Sequence, residues 1–317
     1  MTRITKNIKT AVEELIKGQV VALPTETVYG LSANALVADS VLKIFKIKKR
    51  PQFNPLIVHV LNVSELKKYS LNIPDDVYTL AEKFSPGPIT FVLKKKKIIP
   101  DVVTSGLDSV ALRIPSHPMF REVLRVSEIP IAAPSANMFG RISPTTAKEV
   151  VKELKGKVNY VLDGGRCKVG IESTVISFLD EGIKILRPGF ITKDDIEKTI
   201  GKKVSGGKNS NIISPGLLKF HYAPVTPLYI VDNIKELKGL KNKNLGLLDF
   251  SNYIDLRKLA SNFFSLLRKF DESKYDFIAV QKVSPEGLGI AINDRLEKAS
   301  KGKIKLKNGE IKIIKKK

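Results

Sequence analysis

Short β-rich runs alternate with amphipathic helices over the first two-thirds of the chain, and this alternation constrains the fold more than any other feature. In the first helix pattern Ile8, Val12 and Leu15 share one face. Gly18 follows that pattern and suits the left-handed conformation in which helices often end. Strands and helices mixed within one block predict an α/β domain. The predicted strands span residues 20–23, 56–61, 89–93, 110–114, 160–162, 174–178 and 183–186.

A change of composition divides the chain after residue 204. The next residues are rich in glycine, asparagine and serine, which continue neither a helix nor a strand comfortably. Beyond them, strand-like runs return, together with one helix whose apolar residues have helical spacing. We therefore predict a first domain over residues 1–205, a linker over 206–226 and a smaller α/β domain over 227–317.

The sequence excludes several common classes of enzyme and protein. It contains no G-x-x-x-x-G-K-[ST] motif, no histidine pair at zinc-binding spacing and no G-x-S-x-G elbow. No apolar run approaches the roughly 18 residues that a membrane helix needs. The single cysteine, Cys167, allows neither an internal disulfide nor a cysteine metal cluster, and the N-terminus lacks a secretory pattern. We expect a cytoplasmic protein whose chemistry rests on positioning and charge.

The 317-residue chain carries a formal net charge of +22. Clustered lysines and arginines bind polyanions because they release counterions from phosphates. Lysine-rich chains also arise from base composition or from life at high temperature. Charge alone leaves RNA contact and a merely basic surface as equal alternatives.

Polar segments lie next to predicted core strands, where polar groups need partners. Each segment by itself is explained either by a polar ligand or by a loop of satisfied turn residues. The segments are residues 24–31 (PTETVYGL), 46–51 (KIKKRP), 133–137 (APSAN), 170–174 (GIEST) and 186–189 (LRPG).

Two cations, Lys48 and Arg50, precede Pro51. We expect Pro51 to end the helix and to bias Arg50 toward extended geometry, in which residues two apart face the same way. A guanidinium fork beside an ammonium group is a common pairing for phosphates. The spacing predicts that Lys48 and Arg50 converge on one anion, with a solvated basic helix end as the alternative.

The APSAN segment has the same spacing of polar residues. Ser135 and Asn137 are two apart and can share a face. Downstream, Thr145 lies at the start of a predicted helix whose free N–H groups can accept an anion.

The polar segments occur in a recognisable order. PTETVYGL, KKRPQFNPLIVH, PGPITFVL, VALRIPSHP, APSAN, GIEST and LRPG are followed by HYAP and GLGIAINDRLEKAS. In this register they resemble the YrdC-like threonylcarbamoyl-AMP synthases over nearly the whole chain. The resemblance implies a twisted mixed-sheet α/β domain with a large basic cavity, a linker over the cavity mouth and a small Rossmann-like domain.

The resemblance also implies an activity. The expected enzyme is a nucleotidyltransferase that makes threonylcarbamoyl-AMP and pyrophosphate from L-threonine, bicarbonate and ATP. Its product would serve threonylcarbamoyladenosine modification of tRNA next to the anticodon. Expected further partners are tRNA and a tRNA-modifying transferase complex, and no membrane contact is expected.

The resemblance assigns roles residue by residue. Arg113 is the natural partner of the threonine carboxylate because of its bidentate geometry. Lys48, Arg50 and Arg187, with Mg²⁺ bound through the ATP phosphates, are expected to stabilise the displaced pyrophosphate. The expected threonine contacts are Thr25, His59, Arg113, Ser135 and Ser173, and the expected ATP contacts are Lys48, Arg50, Ser109, Asn137, Thr145, Arg187 and His221.

Two positions depart from the family pattern. Lys49 stands where glycine or another small or polar residue is common, and Val225 stands where asparagine usually follows proline.

Glu26 and Glu172 are candidate bases or metal ligands, with structural hydrogen bonding as the favoured interpretation.

The predicted linker carries apolar side chains that suit docking better than exposure, among them Leu217 and Phe220. We predict that it is a gate, which closes over the first domain, brings His221 to the nucleotide and excludes water.

Two other functions remain open at this point. YrdC-like folds resemble double-stranded RNA binders, so a tRNA-binding module without adenylation activity is one alternative, which the net charge favours. The carbamoyl-transferring YrdC-like domain of hydrogenase maturation is the other. A hydrogenase-maturation protein of that kind would also contain acylphosphatase and zinc-finger regions, and a single cysteine cannot form zinc fingers.

Overall fold

The computed structural model describes residues 1–179, 182–206, 221–237, 244–251, 253–307 and 310–316.

The chain forms two compact units. The first comprises Met1–Phe139 and Ser143–Leu217, and the second comprises Gly140–Ile142 and Leu218–Lys317. Of the predicted linker, residues 207–220 lie outside the described residues. The gate and the three predicted segments, 1–205, 206–226 and 227–317, therefore stay predictions.

A mixed sheet forms the centre of the first unit and confirms the predicted α/β class. Its strands are β1 (Arg3–Thr5), β2 (Val21–Leu23), β3 (Gly30–Asn34), β4 (Ile57–His59), β5 (Ser70–Leu71), β6 (Ile89–Lys95), β7 (Ser109–Arg113), β8 (Ile131–Ala132), β9 (Tyr160–Leu162), β10 (Thr174–Ser177), β11 (Lys184–Arg187) and β12 (Ser205–Gly206). Their order is β1-β9-β2-β3-β8-β4-β7-β6-β10-β11-β12, and β5 pairs with β6. Parallel pairs, such as β4 with β7, occur beside antiparallel pairs, such as β6 with β7.

Strand β3 is not among the strands that the sequence pattern predicts. Its sequence, GLSAN, contains small and polar residues that are depleted in strands. Antiparallel pairing with β2 on one side and β8 on the other stabilises it. Tertiary context therefore overrides the local propensity of this segment.

The helices of the first unit connect these strands. They are α1 (Ile8–Ile16), α2 (Ala38–Lys48), α3 (Leu66–Tyr69), α4 (Asp75–Phe84), α5 (Asp101–Thr104), α6 (Pro118–Ser127), α7 (Ala147–Leu154) and α8 (Lys193–Ile200).

The end of α2 corrects one prediction. The helix ends at Lys48, and Lys49 is left-handed with φ 51°. Lys48 and Arg50 therefore do not share a face of extended chain, and that reason for their convergence is wrong. The left-handed position also explains why glycine is common there in the family, since glycine adopts positive φ without steric cost.

Apolar clusters cover both sides of the sheet. On one side, a large cluster includes Val58 of β4 and Leu112 of β7. On the other side, α1 and α6 pack against β2, β8 and β9, and Ile131 belongs to this second cluster. His59 pairs with Ile131 across β4 and β8. Because cross-strand partners face the same side, His59 faces the side of α1 and α6.

The second unit is a smaller α/β sheet. Its strands are β13 (Leu228–Val231), β14 (Leu245–Asp249), β15 (Phe277–Gln281), β16 (Gly302–Lys307) and β17 (Glu310–Lys315), and its helices are α9 (Leu256–Glu272) and α10 (Leu288–Ala299). The order is β14-β15-β13-β16-β17, in which only the β16–β17 pair is antiparallel. Parallel strands with intervening helices agree with the predicted Rossmann-like class.

Within the described residues, no helix is both long enough and apolar enough to cross a membrane.

Candidate active site

Strand directions bring several of the polar segments to one end of the first sheet. The parallel strands β4 and β7 end beside the start of β6, which runs antiparallel to β7. Strand β10 runs parallel to β6 and antiparallel to β11, so it starts at the same end, where β11 finishes. These five strands share a small apolar cluster, to which each contributes one residue: Ile57, Val92, Ala111, Val175 and Leu186.

Arg113 ends β7, and its side chain is 5% exposed. Its Nη2 donates to Glu26 Oε1 at 2.6 Å, and its Nε donates to the carbonyl oxygen of Gly87 at 3.3 Å. The second carboxylate oxygen of Glu26 accepts from the backbone N–H of Ser116 at 3.1 Å. Glu26 thus forms structural hydrogen bonds. Nη1 of Arg113 makes no hydrogen bond to the described part of the chain.

His59 ends β4 and is the register partner of Arg113. Burial, followed by the nearby charge of Arg113, lowers the pKa of His59 to about 3, so its imidazole is neutral at neutral pH. Nδ1 lies 3.3 Å from the carbonyl oxygen of Ile131. We assign the hydrogen to Nδ1, because a carbonyl can only accept. That tautomer leaves Nε2 as an acceptor.

The hydroxyl of Thr25 is used within its own turn. It donates to the carbonyl of Val28 at 2.6 Å and accepts from the N–H groups of Thr27 and Val28, both at 3.1 Å. Thr25 therefore shapes the PTETVYGL loop.

Lys48 joins two of the predicted motifs. The side chain is buried, and Nζ donates to the carbonyl oxygens of Ser135 at 2.5 Å and of Asn137 at 2.6 Å. Burial, followed by the charge of Arg50, holds the pKa of Lys48 well below its usual value. The ammonium group thus fixes the APSAN segment against the end of α2, and this contact connects sites 87 and 89 residues apart.

Arg50 lies inside a turn that follows α2. Its Nε donates to the carbonyl of Asn54 at 3.0 Å and its Nη2 to that of Pro55 at 2.9 Å. The guanidinium carbon lies 5.9 Å from the ring centre of Phe139. Asn54 itself is fully buried, and neither polar atom of its side-chain amide has a hydrogen-bond partner among the residues that the structure describes.

Ser173, a predicted threonine contact, accepts hydrogen bonds from Arg187, a predicted ATP contact. Arg187 donates to the Ser173 carbonyl through Nε at 3.1 Å and Nη2 at 2.9 Å, and to the Ser173 hydroxyl at 3.1 Å. The same hydroxyl lies 2.7 Å from that of Thr90 on β6. The two predicted subsites therefore adjoin at this residue.

The segment before α7 is held by two carboxylates. The Ser143 hydroxyl donates to Glu172 Oε1 at 2.7 Å, so Glu172 also makes a structural hydrogen bond. Glu149 accepts from the N–H groups of Thr145 at 2.6 Å and of Thr146 at 3.1 Å, which completes a capping box. These bonds use the N–H groups of the two residues that precede the helix, and the N–H of Glu149 donates to the Thr146 hydroxyl at 3.3 Å.

Two predicted ATP contacts remain, Ser109 and His221. Ser109 starts β7, and four residues at 3.3 Å each place it about 13 Å from Arg113 on the same face. His221 belongs to the second unit, where its N–H donates to the carbonyl of Lys298 at 3.1 Å and its ring packs on Tyr222. Its proposed contact with the nucleotide stays a prediction.

The cysteine thiol and the metal-binding types of side chain remain to be described. Burial raises the pKa of the Cys167 thiol, and the side chain is 1% exposed, so the thiolate is disfavoured. Among the described residues, no three histidine, cysteine or acidic side chains lie close enough together to hold a metal ion.

Sequence reasoning overlooked Asn54 and Thr90. Both lie within motifs quoted above, but an asparagine before proline and a threonine in a strand are ordinary residues. Complete burial of their polar groups is the signal, and it appears only in three dimensions.

Comparisons with known proteins find matches for both units of the chain. Residues 13–189 match the Sua5/YciO/YrdC family, described as "Telomere recombination", and residues 191–301 match the family described as "Threonylcarbamoyl-AMP synthase, C-terminal domain". The threonylcarbamoyl-AMP synthase of Pyrococcus abyssi is 38% identical, over 92% of this chain and 94% of that protein. The threonylcarbamoyl-AMP synthase of Bacillus subtilis is 40% identical, over 92% of each chain.

A solved structure shows the same fold. The crystal structure of P. abyssi Sua5 complexed with L-threonine has a TM-score of 0.87 and 36% identity, and the match covers 95% of this chain and 97% of that one. The predicted family is confirmed on these grounds, whereas the large basic cavity stays a prediction. The chain is an enzyme that belongs to the threonylcarbamoyl-AMP synthase family, in the long form with the additional C-terminal domain.

Proposed function

We propose that this enzyme joins L-threonine, bicarbonate and ATP into threonylcarbamoyl-AMP and pyrophosphate, and that the product serves threonylcarbamoyladenosine modification of tRNA. The observation that carries the proposal is the buried guanidinium of Arg113, whose plane is fixed while Nη1 makes no hydrogen bond to the described chain. The solved relative was crystallised with L-threonine, an amino acid with a carboxylate that such a guanidinium binds well.

The threonine subsite surrounds the end of β7. Arg113 binds the carboxylate, and Nε2 of His59 accepts a hydrogen bond from the amine or the hydroxyl group. Ser173 contributes its hydroxyl beside Arg187, while Thr25 and Ser135 shape the loops that enclose the substrate.

The nucleotide subsite is formed by the cations at the end of α2 and at the end of β11, together with the APSAN segment that Lys48 binds. Arg50 and Arg187 bind the phosphates, and Lys48 acts mainly by holding the APSAN carbonyls. The remaining proposed ATP contacts are Ser109, Asn137, Thr145 and His221, to which the burial of Asn54 adds one more.

The reaction needs no covalent enzyme intermediate. Bicarbonate takes up a proton and loses water to give CO₂. The threonine nitrogen forms a bond to the carbon of CO₂ and releases a proton, which balances the one taken up, to give a carbamate. A carbamate oxygen attacks the α-phosphorus of ATP, and the bond to the bridging oxygen breaks as pyrophosphate takes the electron pair. Arg50 and Arg187 stabilise the charge that develops on the departing phosphates.

Mg²⁺ fits this site as an ion carried by the substrate. The two carboxylates near the site, Glu26 and Glu172, already accept hydrogen bonds from the protein, and the described residues offer no metal-binding cluster. The ion would therefore be bound through the ATP phosphates, whose charge it neutralises.

Pyrophosphate release tests the proposal. We expect full-length protein with ATP to release pyrophosphate only when threonine and bicarbonate are both present, and mass spectrometry to detect threonylcarbamoyl-AMP. Arg50→Ala should lower the rate by about 10²-fold, as loss of electrostatic stabilisation does. Lys48→Ala should lower it by a similar factor, because the APSAN carbonyls lose the group that holds them. Lys46→Ala, which removes an exposed lysine of the same helix, should leave the rate unchanged.

Two results would contradict this function. Release that does not depend on threonine would assign a different acceptor. Tight binding of tRNA without any release would instead favour the RNA-binding module.

A further inference from the structure

Glu26 is a buried acid whose carboxylate binds at and just beyond the end of β7. It is 6% exposed, and its two carboxylate oxygens bind Arg113 and the backbone of Ser116. Its own carbonyl oxygen accepts from the N–H of Val169 at 2.8 Å. The residue therefore connects the PTETVYGL loop to the end of β7, 87 residues away in the chain.

Its effect on Arg113 follows from the shape of the guanidinium group. Arginine presents five N–H donors in one rigid plane. Two contacts define that plane here, one from Nη2 to Glu26 and one from Nε to Gly87. The edge that carries Nη1 is left for a ligand. An arginine side chain loses rotamer entropy when it is fixed, and Glu26 fixes this one before the substrate arrives.

We infer that Glu26 is a positioning residue for the amino-acid carboxylate, acting through Arg113 and not on the reacting atoms. This inference rests on the proposed function, because it presupposes that Arg113 binds threonine. A carboxylate suits the task better than an amide, since a hydrogen bond between two charged groups is roughly twice as strong as a neutral one. Its second bond, to Ser116, keeps the carboxylate from following the guanidinium when the substrate binds.

Two variants of the full-length protein test the inference. Glu26→Gln keeps the shape but removes the charge, and it should weaken threonine binding, measured by calorimetry, by about tenfold. Glu26→Asp keeps the charge but is one methylene shorter, so it should recover part of the affinity. In both variants the KM for ATP should be unchanged, and kcat at saturating threonine should stay close to that of the parent.

A double-mutant cycle separates positioning from a general structural effect. In an Arg113→Met background, Glu26→Gln should have no further effect on threonine affinity, because the group it acts through is gone. Glu65→Gln is the matched control. Its carboxylate also holds a backbone N–H, that of Leu61 at 2.9 Å, but it contacts no arginine of the site, so threonine affinity should not change.

Each other outcome overturns the inference. Unchanged threonine affinity in folded Glu26→Gln would show that Arg113 is positioned without the carboxylate. Equal losses for threonine and ATP would assign Glu26 a purely structural role, and a lower kcat with unchanged threonine affinity would make it a base. If Arg113→Met still binds threonine while the parent makes product, the inference fails and the proposed function stands. If the parent binds no threonine, both fail.

Discussion

At the scale of single residues, the site contains polar groups whose burial is unfavourable. Lys48 binds two carbonyl oxygens, and His59 is neutral, but Asn54 is fully buried and neither polar atom of its amide is hydrogen-bonded to the described part of the chain. An unsatisfied buried group costs about 1–3 kcal/mol of stability. Asn54 also forms part of the turn that encloses Arg50. A residue kept at such a cost is typical of a binding site.

Replacement of Asn54 separates stability from function. Asn54→Leu has a similar volume and no unsatisfied amide, so we expect its Tm to rise by a few degrees while pyrophosphate release falls by about tenfold. Thermal unfolding and the KM for ATP check the two halves of this prediction.

A matched control lies outside the site. The hydroxyl of Ser127 on α6 is also buried and has no hydrogen-bond partner within the described ranges, so Ser127→Ala should raise the Tm and leave activity unchanged. An Asn54→Leu variant with normal pyrophosphate release would remove Asn54 from the site.

At the scale of elements, the junction between β10 and β11 depends on one close approach. A Cβ atom on Gly189 would lie 2.3 Å from the nitrogen of Thr174 and 2.6 Å from the carbonyl carbon of Ser173. Both are backbone atoms, so the LRPG turn would have to move. The same turn follows Arg187, which clamps the Ser173 carbonyl.

We therefore expect Gly189→Ala to disturb both subsites. Displacement of Arg187 from Ser173 should raise the KM for ATP and weaken threonine binding. The Tm should also fall, because backbone atoms can move away from a new side chain only at a cost in stability. Kinetics in both substrates and a melting curve measure these effects.

Gly206→Ala provides the comparison. No atom of the described residues lies within 4 Å of a Cβ at that position, so stability and activity should be unaffected. If Gly189→Ala behaved like Gly206→Ala, the close approach would have no functional role.

At the scale of the whole molecule, the predicted substrate contacts are divided unequally between the two units. All of them except His221 belong to the first unit, which has its own sheet and apolar clusters. A unit that buries its own core can fold alone.

A fragment of residues 1–205 should therefore fold cooperatively and bind threonine. We expect a single melting transition in circular dichroism and threonine binding in calorimetry, with slower pyrophosphate release because His221 is absent. Threonine binding confined to the full chain, or binding of ATP or threonine by an isolated 227–317 fragment, would contradict this division of roles.

The sequence by itself determined the class of the fold and the family. Hydrophobic periodicity depends on residues close together in the chain, so it located most strands, and nine ordered motifs identified the family with its candidate residues. The same local reasoning failed at β3, which is stabilised by its neighbours, and at Lys49, whose left-handed backbone removed the expected extended geometry.

Only the tertiary structure decided which side chains meet. Glu26 with Arg113, Lys48 with Asn137 and Thr90 with Ser173 are separated by 87, 89 and 83 residues. Their contacts depend on the strand order β8-β4-β7-β6-β10, which does not follow the chain. Periodicity gives the face on which a side chain lies, but the partner on that face is fixed by long-range strand pairing, which no local pattern encodes.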